Sequence, residues 1–127
     1  MLLLLDTHAF LWWLNDSNEL GVRARETITS GDNLVFVSAA TAWEVAVKRA
    51  SGKLDAPGDI ASWIADNHFT PLSIEVEHAV DAAELPPYHR DPFDRILVAQ
   101  ARRIGLTLVT SDEQISAYDV ALLDATA

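Results

Sequence analysis

A chain of 127 residues, half of them hydrophobic, is long enough to bury roughly two-thirds of its unfolded surface, which predicts a single domain over residues 1–127 and not a disordered chain. It contains no cysteine, which excludes disulfides, thiolate zinc sites and a cysteine nucleophile, and leaves oxygen and imidazole as metal donors. The formal net charge of −10 argues against a general nucleic-acid coat, since phosphate binding needs Lys and Arg. The excess acid serves solubility, holds cations, or meets a basic partner.

In chain order, Leu2–Leu5 is an apolar run of strand length stopped by Asp6. It is too short for a signal segment or a membrane span and has no basic stretch before it, so a cytoplasmic protein is expected. A helix is predicted through Phe10 to Leu14. A second runs from about Glu19 to Ile28, with Ser17 or Asn18 as cap and Gly31 beyond its end. Leu34–Val37 reads as a buried strand, and Ser38 suits the cap of a helix reaching about Ala50. After a break at Pro57-Gly58, Ile60, Trp63 and Ile64 fall at helical spacing. Pro71–Ile74 is a weak strand, followed by a helix from about Val76 to Leu85 that Pro86-Pro87 ends. Asp91-Pro92 opens a strong helix with an acidic cap and Pro at its first position, running on to Gly105. Thr107–Thr110 is a strand, Asp112–Tyr118 a short helix, and Val120–Leu123 a last strand. Strands alternating with helices predict an α/β fold with a mostly parallel sheet covered on both faces. In such sheets ligands bind beyond the carboxyl ends of the strands.

Four acids draw attention by that rule. Asp6 follows the first strand and Asp112 follows Thr107–Thr110 by two residues. Glu44 lies within an apolar helical run, an expensive place for a lone carboxylate. Asp94 lies in the first turn of the helix opened by Pro92, where the helix dipole favours negative charge. Each has an ordinary alternative: Glu44 stands four residues before Lys48, Asp94 fits the third position after the Asp91 cap, and Asp112 can cap the next helix. Asp6 is the hardest to dismiss, because it ends an apolar strand with no turn glycine beside it. Together the four point to repelling carboxylates relieved by a hard cation, Mg²⁺ or Mn²⁺, and to metal-dependent phosphodiester hydrolysis.

Four segments then carry a resemblance: Leu4-Leu5-Asp6-Thr7-His8, Ala42-Trp43-Glu44, His89-Arg90-Asp91-Pro92-Phe93-Asp94-Arg95 with Ala99-Gln100-Ala101, and Leu108-Val109-Thr110-Ser111-Asp112. In this order and spacing the chain resembles, over essentially its whole length, the PIN-domain ribonuclease toxins of VapC type. The resemblance implies a Rossmann-like three-layer α/β/α sandwich and a Mg²⁺- or Mn²⁺-dependent endoribonuclease acting on RNA. It also implies a homodimer held inactive by a cognate antitoxin protein. By motif it carries over Asp6, Glu44, Asp94 and Asp112 as catalytic and metal residues, with Asp6 and Asp94 as the leading ligands. Asp91 is then the helix cap.

Other residues are read more plainly. His8 and His89 are expected to be packed or hydrogen-bonded imidazoles rather than general bases, and His68 and His78 to lie on the surface. Thr7 and Thr110 either support the acids beside them or pack at strand ends. Trp12, Trp13, Trp43 and Trp63 are expected in core or subunit packing rather than base stacking. Arg90 and Arg95 flank the best motif and either meet RNA phosphates or stay solvated; Lys48, Arg49 and Lys53 form a second basic cluster. A phosphatase of the haloacid-dehalogenase type needs a second Asp two residues after the first, and Asp6-Thr7-His8 lacks it. The remaining alternative is a catalytically silent PIN-like module that binds protein or RNA.

Overall fold

The computed structural model describes residues 1–56 and 58–127; the break expected at Pro57 lies outside the described residues. The elements are β1 (Leu2–Leu5), α1 (Thr7–Leu14), α2 (Val22–Thr29), β2 (Leu34–Ser38), α3 (Ala39–Ala50), α4 (Ile60–Asp66), β3 (Thr70–Leu72), α5 (Val76–Glu84), α6 (Pro92–Ile104), β4 (Thr107–Thr110) and β5 (Leu122–Asp124), with a 3-10 turn at Ile115–Ala117. The five strands form one sheet in the order β3-β2-β1-β4-β5, and every neighbouring pair is parallel. Six α-helices flank it among the described residues, giving an α/β fold.

A parallel sheet is covered on both faces, so its central strand reads as continuous apolar sequence rather than alternation. Leu3, Leu4 and Leu5 are all fully buried. Leu3 and Leu5 pack with Phe10 of α1, Ala24 and Ile28 of α2 and Ile64 of α4. Leu4 points the other way, to Ala40 of α3 and to Leu97, Val98 and Ala101 of α6. The sheet thus separates two cores. Its register aligns Leu5 with Val37 and with Val109, which sets Asp6, Ser38 and Thr110 side by side at the carboxyl edge. Helices antiparallel to these strands start at that same edge, as α1, α3 and α6 do.

Several boundaries differ from expectation. The second helix begins at Val22, not Glu19, and Gly21 at its cap position offers no side chain. The carbonyl oxygen of Ala127 instead accepts from the Arg23 and Ala24 N–H groups. A cap supplied from the far end of the chain leaves no mark in the local sequence. Ser17 closes a turn, accepting from Glu19 N–H at 3.2 Å. The helix expected at Asp112–Tyr118 is only the 3-10 turn, and β3 and β5 are three-residue edge strands.

Candidate active site

Asp6 ends β1 and caps α1, its carboxylate accepting from Ala9 N–H at 2.8 Å. The residue is 2% exposed. Burial pushes its carboxyl above the ordinary range, the Thr110 hydroxyl and the Ala9 N–H pull it partly back, and the charge of Asp112 adds to the rise. Glu44 sits on the second turn of α3 and is 6% exposed. Its two oxygens have separate partners: Thr7 Oγ1 donates to Oε1 at 2.6 Å, and Lys48 Nζ to Oε2 at 2.8 Å. Glu44 therefore makes the ordinary helix pair and is also buried.

Asp94 stands in the first turn of α6, behind the cap that Asp91 forms by accepting from Phe93 and Asp94 N–H at 2.8 and 3.1 Å. Its pKa is pushed up to about 7, by burial first, then by the charges of Asp91, Asp6 and Glu44. Asp112 lies past β4 and is anchored twice, since Oδ1 accepts from Gln114 N–H at 2.9 Å and Oδ2 meets His89 Nε2 at 2.7 Å. The same His89 nitrogen lies 3.1 Å from Asp94 Oδ2. The fold thus brings Asp6, Glu44, Asp94 and Asp112 within electrostatic reach of one another at the carboxyl edge.

His89 is the residue that sequence reasoning undervalued. It is buried, and with Asp94 and Asp112 it offers ligand atoms that all lie within 4.8 Å of one another. Its partner Asp112 is 23 residues away, so only its place two residues before Asp91 gave any signal. Thr7 and Thr110 support the acids directly: besides its contacts above, Thr110 Oγ1 accepts from Asp112 N–H at 3.1 Å.

Other expectations are corrected. Arg95 does not face phosphates; its guanidinium donates to the carbonyl oxygens of Ala82, Leu85, Pro86 and His89. Arg90 is exposed and makes no ion pair among the described residues. The basic cluster dissolves as well, because Lys48 is tied to Glu44 and Arg49 to the carbonyl oxygens of Ala56 and Gly58. His78 is buried and not superficial, since its Nδ1 accepts from Glu75 N–H at 2.9 Å and faces Gln100. His8 and His68 are exposed. Trp12, Trp13 and Trp63 pack against the core, but Trp43 is 56% exposed and meets Phe93 edge-on at 4.9 Å, beside Glu44 and Asp94. A concavity of about 660 Å³ elsewhere, between α5 and α6, contains none of the four acids.

The same fold is found in known proteins. Residues 3–121 match the PIN domain family model. The chain belongs to the PIN-domain family. It is 29% identical to Ribonuclease VapC22 of Mycobacterium tuberculosis over 118 residues, 91% of this chain and 90% of that protein. Among solved structures it superposes on VapBC2 from Rickettsia felis bound to a promoter DNA fragment, with a TM-score of 0.72 at 13% identity, covering 97% of this chain and 98% of that one. A toxin–antitoxin complex from Klebsiella pneumoniae gives 0.66 at 20% identity and 96% of both chains. At such identities the superpositions establish the fold. No helix among the described residues is long and apolar enough to cross a membrane.

Proposed function

We propose that this PIN domain, one folded unit over residues 1–127, is a Mg²⁺- or Mn²⁺-dependent endoribonuclease and the toxin of a type II toxin–antitoxin pair. The observation that carries the proposal is the convergence of acids at the carboxyl edge: Asp94 and Asp112 meet at His89 Nε2, 3.1 and 2.7 Å away, and burial together with the charges of Asp91, Asp6 and Glu44 raises the pKa of Asp94. A site that stores carboxylate repulsion is matched to a cation. The donors fit a hard one: four carboxylates, no thiol and, among the described residues, no arginine on any of them and a lysine on Glu44 alone.

Asp6 and Asp94 are the leading ligands, with Glu44 and Asp112 completing the set or orienting water. When bound, the metal would lower the pKa of a coordinated water and neutralise charge on the phosphodiester. The chain's own part is positioning. Asp6 is fixed by the α1 cap, Glu44 by Thr7 and Lys48, and Asp112 by Gln114 and His89. Arg90, exposed next to the site, is free for an RNA phosphate.

Kinship with Ribonuclease VapC22 supports RNA as substrate, and the toxin–antitoxin complexes among the structural neighbours support a cognate antitoxin; the homodimer rests on the motif resemblance alone. A net charge of −10 favours a basic antitoxin segment over the acids, competing with metal and weakened by salt. Purified protein should cleave RNA with Mg²⁺ or Mn²⁺, and Asp6→Asn should abolish cleavage. No cleavage by the wild type would leave the silent binding module as the better reading, and wild-type rates in the variant would exclude a mechanism through Asp6.

A further inference from the structure

We infer that His89 is a positioning residue that donates its single ring proton to Asp112, beside Asp94, and that it is not itself a ligand of the metal. The inference rests on the metal-dependent reading above. Distance alone suggests otherwise, since His89, Asp94 and Asp112 offer three ligand atoms within 4.8 Å of one another. The proton inventory decides against it.

The backbone N–H of Asp91 points at His89 Nδ1 at 3.1 Å. That nitrogen therefore presents its lone pair and carries no proton. A neutral imidazole then has its proton on the other nitrogen. Nε2 donates to Asp112 Oδ2 at 2.7 Å, and Asp94 Oδ2 lies 3.1 Å from the same nitrogen. A histidine that ligates metal through one nitrogen normally donates N–H from the other to a carbonyl or carboxylate. Here the other nitrogen faces a donor. Ligation through Nε2 would strip the ring of its last proton or break the Asp91 contact.

The backbone that carries the ring is fixed. His89 N–H donates to Tyr118 Oη at 3.0 Å, and its carbonyl oxygen accepts from Arg95 Nη1 at 3.0 Å. Arg95 also holds the carbonyl oxygens of Ala82, Leu85 and Pro86, so the end of α5 and the loop before α6 are clamped as one piece. This explains why an arginine so close to the acids makes no ion pair with them. It fixes the backbone that aims the imidazole. With Oδ1 of Asp112 on Gln114 N–H and Oδ2 on the ring, that carboxylate is held in one orientation before any cation arrives.

The test uses Mn²⁺ as probe, without RNA. Calorimetry should show Mn²⁺ binding weakened about 10–100-fold in His89→Ala, the usual cost of losing a group that orients a ligand. His89→Gln, whose amide nitrogen reaches about the Nε2 position, should recover most of it, whereas His89→Asn, reaching only about the Nδ1 position, should not. Pulsed EPR of the Mn²⁺-loaded wild type should show no directly bonded nitrogen. In the metal-free protein, ¹⁵N NMR should find His89 protonated on Nε2 alone. A bonded-nitrogen coupling that vanishes in His89→Gln, a protonated Nδ1, or wild-type Mn²⁺ affinity in His89→Ala would each overturn the inference. If His89→Ala fails to fold, the glutamine variant and the two spectra still decide it. A protein that binds Mn²⁺ as described but cuts no RNA would overturn the nuclease reading and leave this one standing. One that binds no Mn²⁺ would overturn the metal reading, with the NMR tautomer still testing the histidine.

Discussion

Two aspartates on adjacent helices show opposite chemistry. Asp94, at the start of α6, has its carboxyl pushed up to about 7 by burial and by acidic neighbours. Asp81, on α5, has its carboxyl lowered by the Arg103 guanidinium, which lies 2.7 Å away at the exposed surface. An acid that serves the fold has a cation on its oxygens and water around it. The acids of the carboxyl edge are packed against one another, and the arginine nearest in sequence, Arg95, gives its donors to carbonyl oxygens instead. Among the described residues, Glu44 is the one of the four with a lysine or arginine on it, Lys48. On the proposed function, the difference separates residues that hold the structure from residues that await a ligand.

The sharpest way to break this contrast is Asp94→Asn. Losing a charged metal ligand should remove several kcal/mol of transition-state stabilisation, on the order of a thousandfold in cleavage rate. The metal-free variant should melt no lower than wild type at about pH 8, because the buried ionised carboxylate is gone. Near-wild-type cleavage, or a large loss of metal-free stability, would mean that Asp94 is a structural acid like Asp81.

The second effect is on pH dependence. Asp94 ionises near 3.8 in the unfolded chain and near 7 in the metal-free fold. Between those values the folded state keeps a proton that the unfolded state has released. Stability should therefore fall as pH rises through that window and level off above it, by on the order of a few kcal/mol. Melting in chelator at about pH 5 and pH 8 checks the sign. The slope should shrink in Asp94→Asn and with saturating Mg²⁺, and metal binding should release protons below about pH 7. A melting temperature that climbs across the window would contradict the raised pKa.

Lys48→Met should act more weakly. Among the described residues it leaves Glu44 with the Thr7 hydroxyl as its remaining side-chain partner, costing on the order of 1 kcal/mol or somewhat more in the metal-free protein, since the lysine end of the pair is exposed and the glutamate end buried. Mn²⁺ should bind as well or better, since a cation competing for Glu44 is gone. Weaker Mn²⁺ binding in a folded variant would show that Lys48 orients Glu44 and does not merely neutralise it.

Much of this arrangement was legible in the residues and some was not, for physical reasons. Leu2–Leu5 and Leu34–Val37 announce buried parallel strands because both faces are covered, and Asp91-Pro92 announces a helix because its capping chemistry is local. Asp6 stood out because β1 and the site share one backbone step. The start of α2 was misread because its cap comes from Ala127. His78 was misread as superficial because its burial depends on Gln100, 22 residues on. His89 was undervalued for the same reason: a histidine's role is set by what its two nitrogens face, and both faces are tertiary.

The smallest expected effect completes the contrast. Arg103→Ala removes both contacts to Asp81, at 2.7 and 3.2 Å, between side chains that are 47% and 32% exposed. Water replaces the lost donors, and each charge remains solvated, so exposed pairs of this kind contribute little to stability. The carboxyl of Asp81 should return toward its ordinary value, which NMR titration can follow. The melting temperature should hardly move, and Mn²⁺ affinity and RNA cleavage should match wild type. Arg103 lies in the last turn of α6, at the opposite end from Asp94. A marked change in metal affinity would therefore mean that the two ends of this helix are coupled, and that the division between structural and ligand-awaiting acids is drawn in the wrong place.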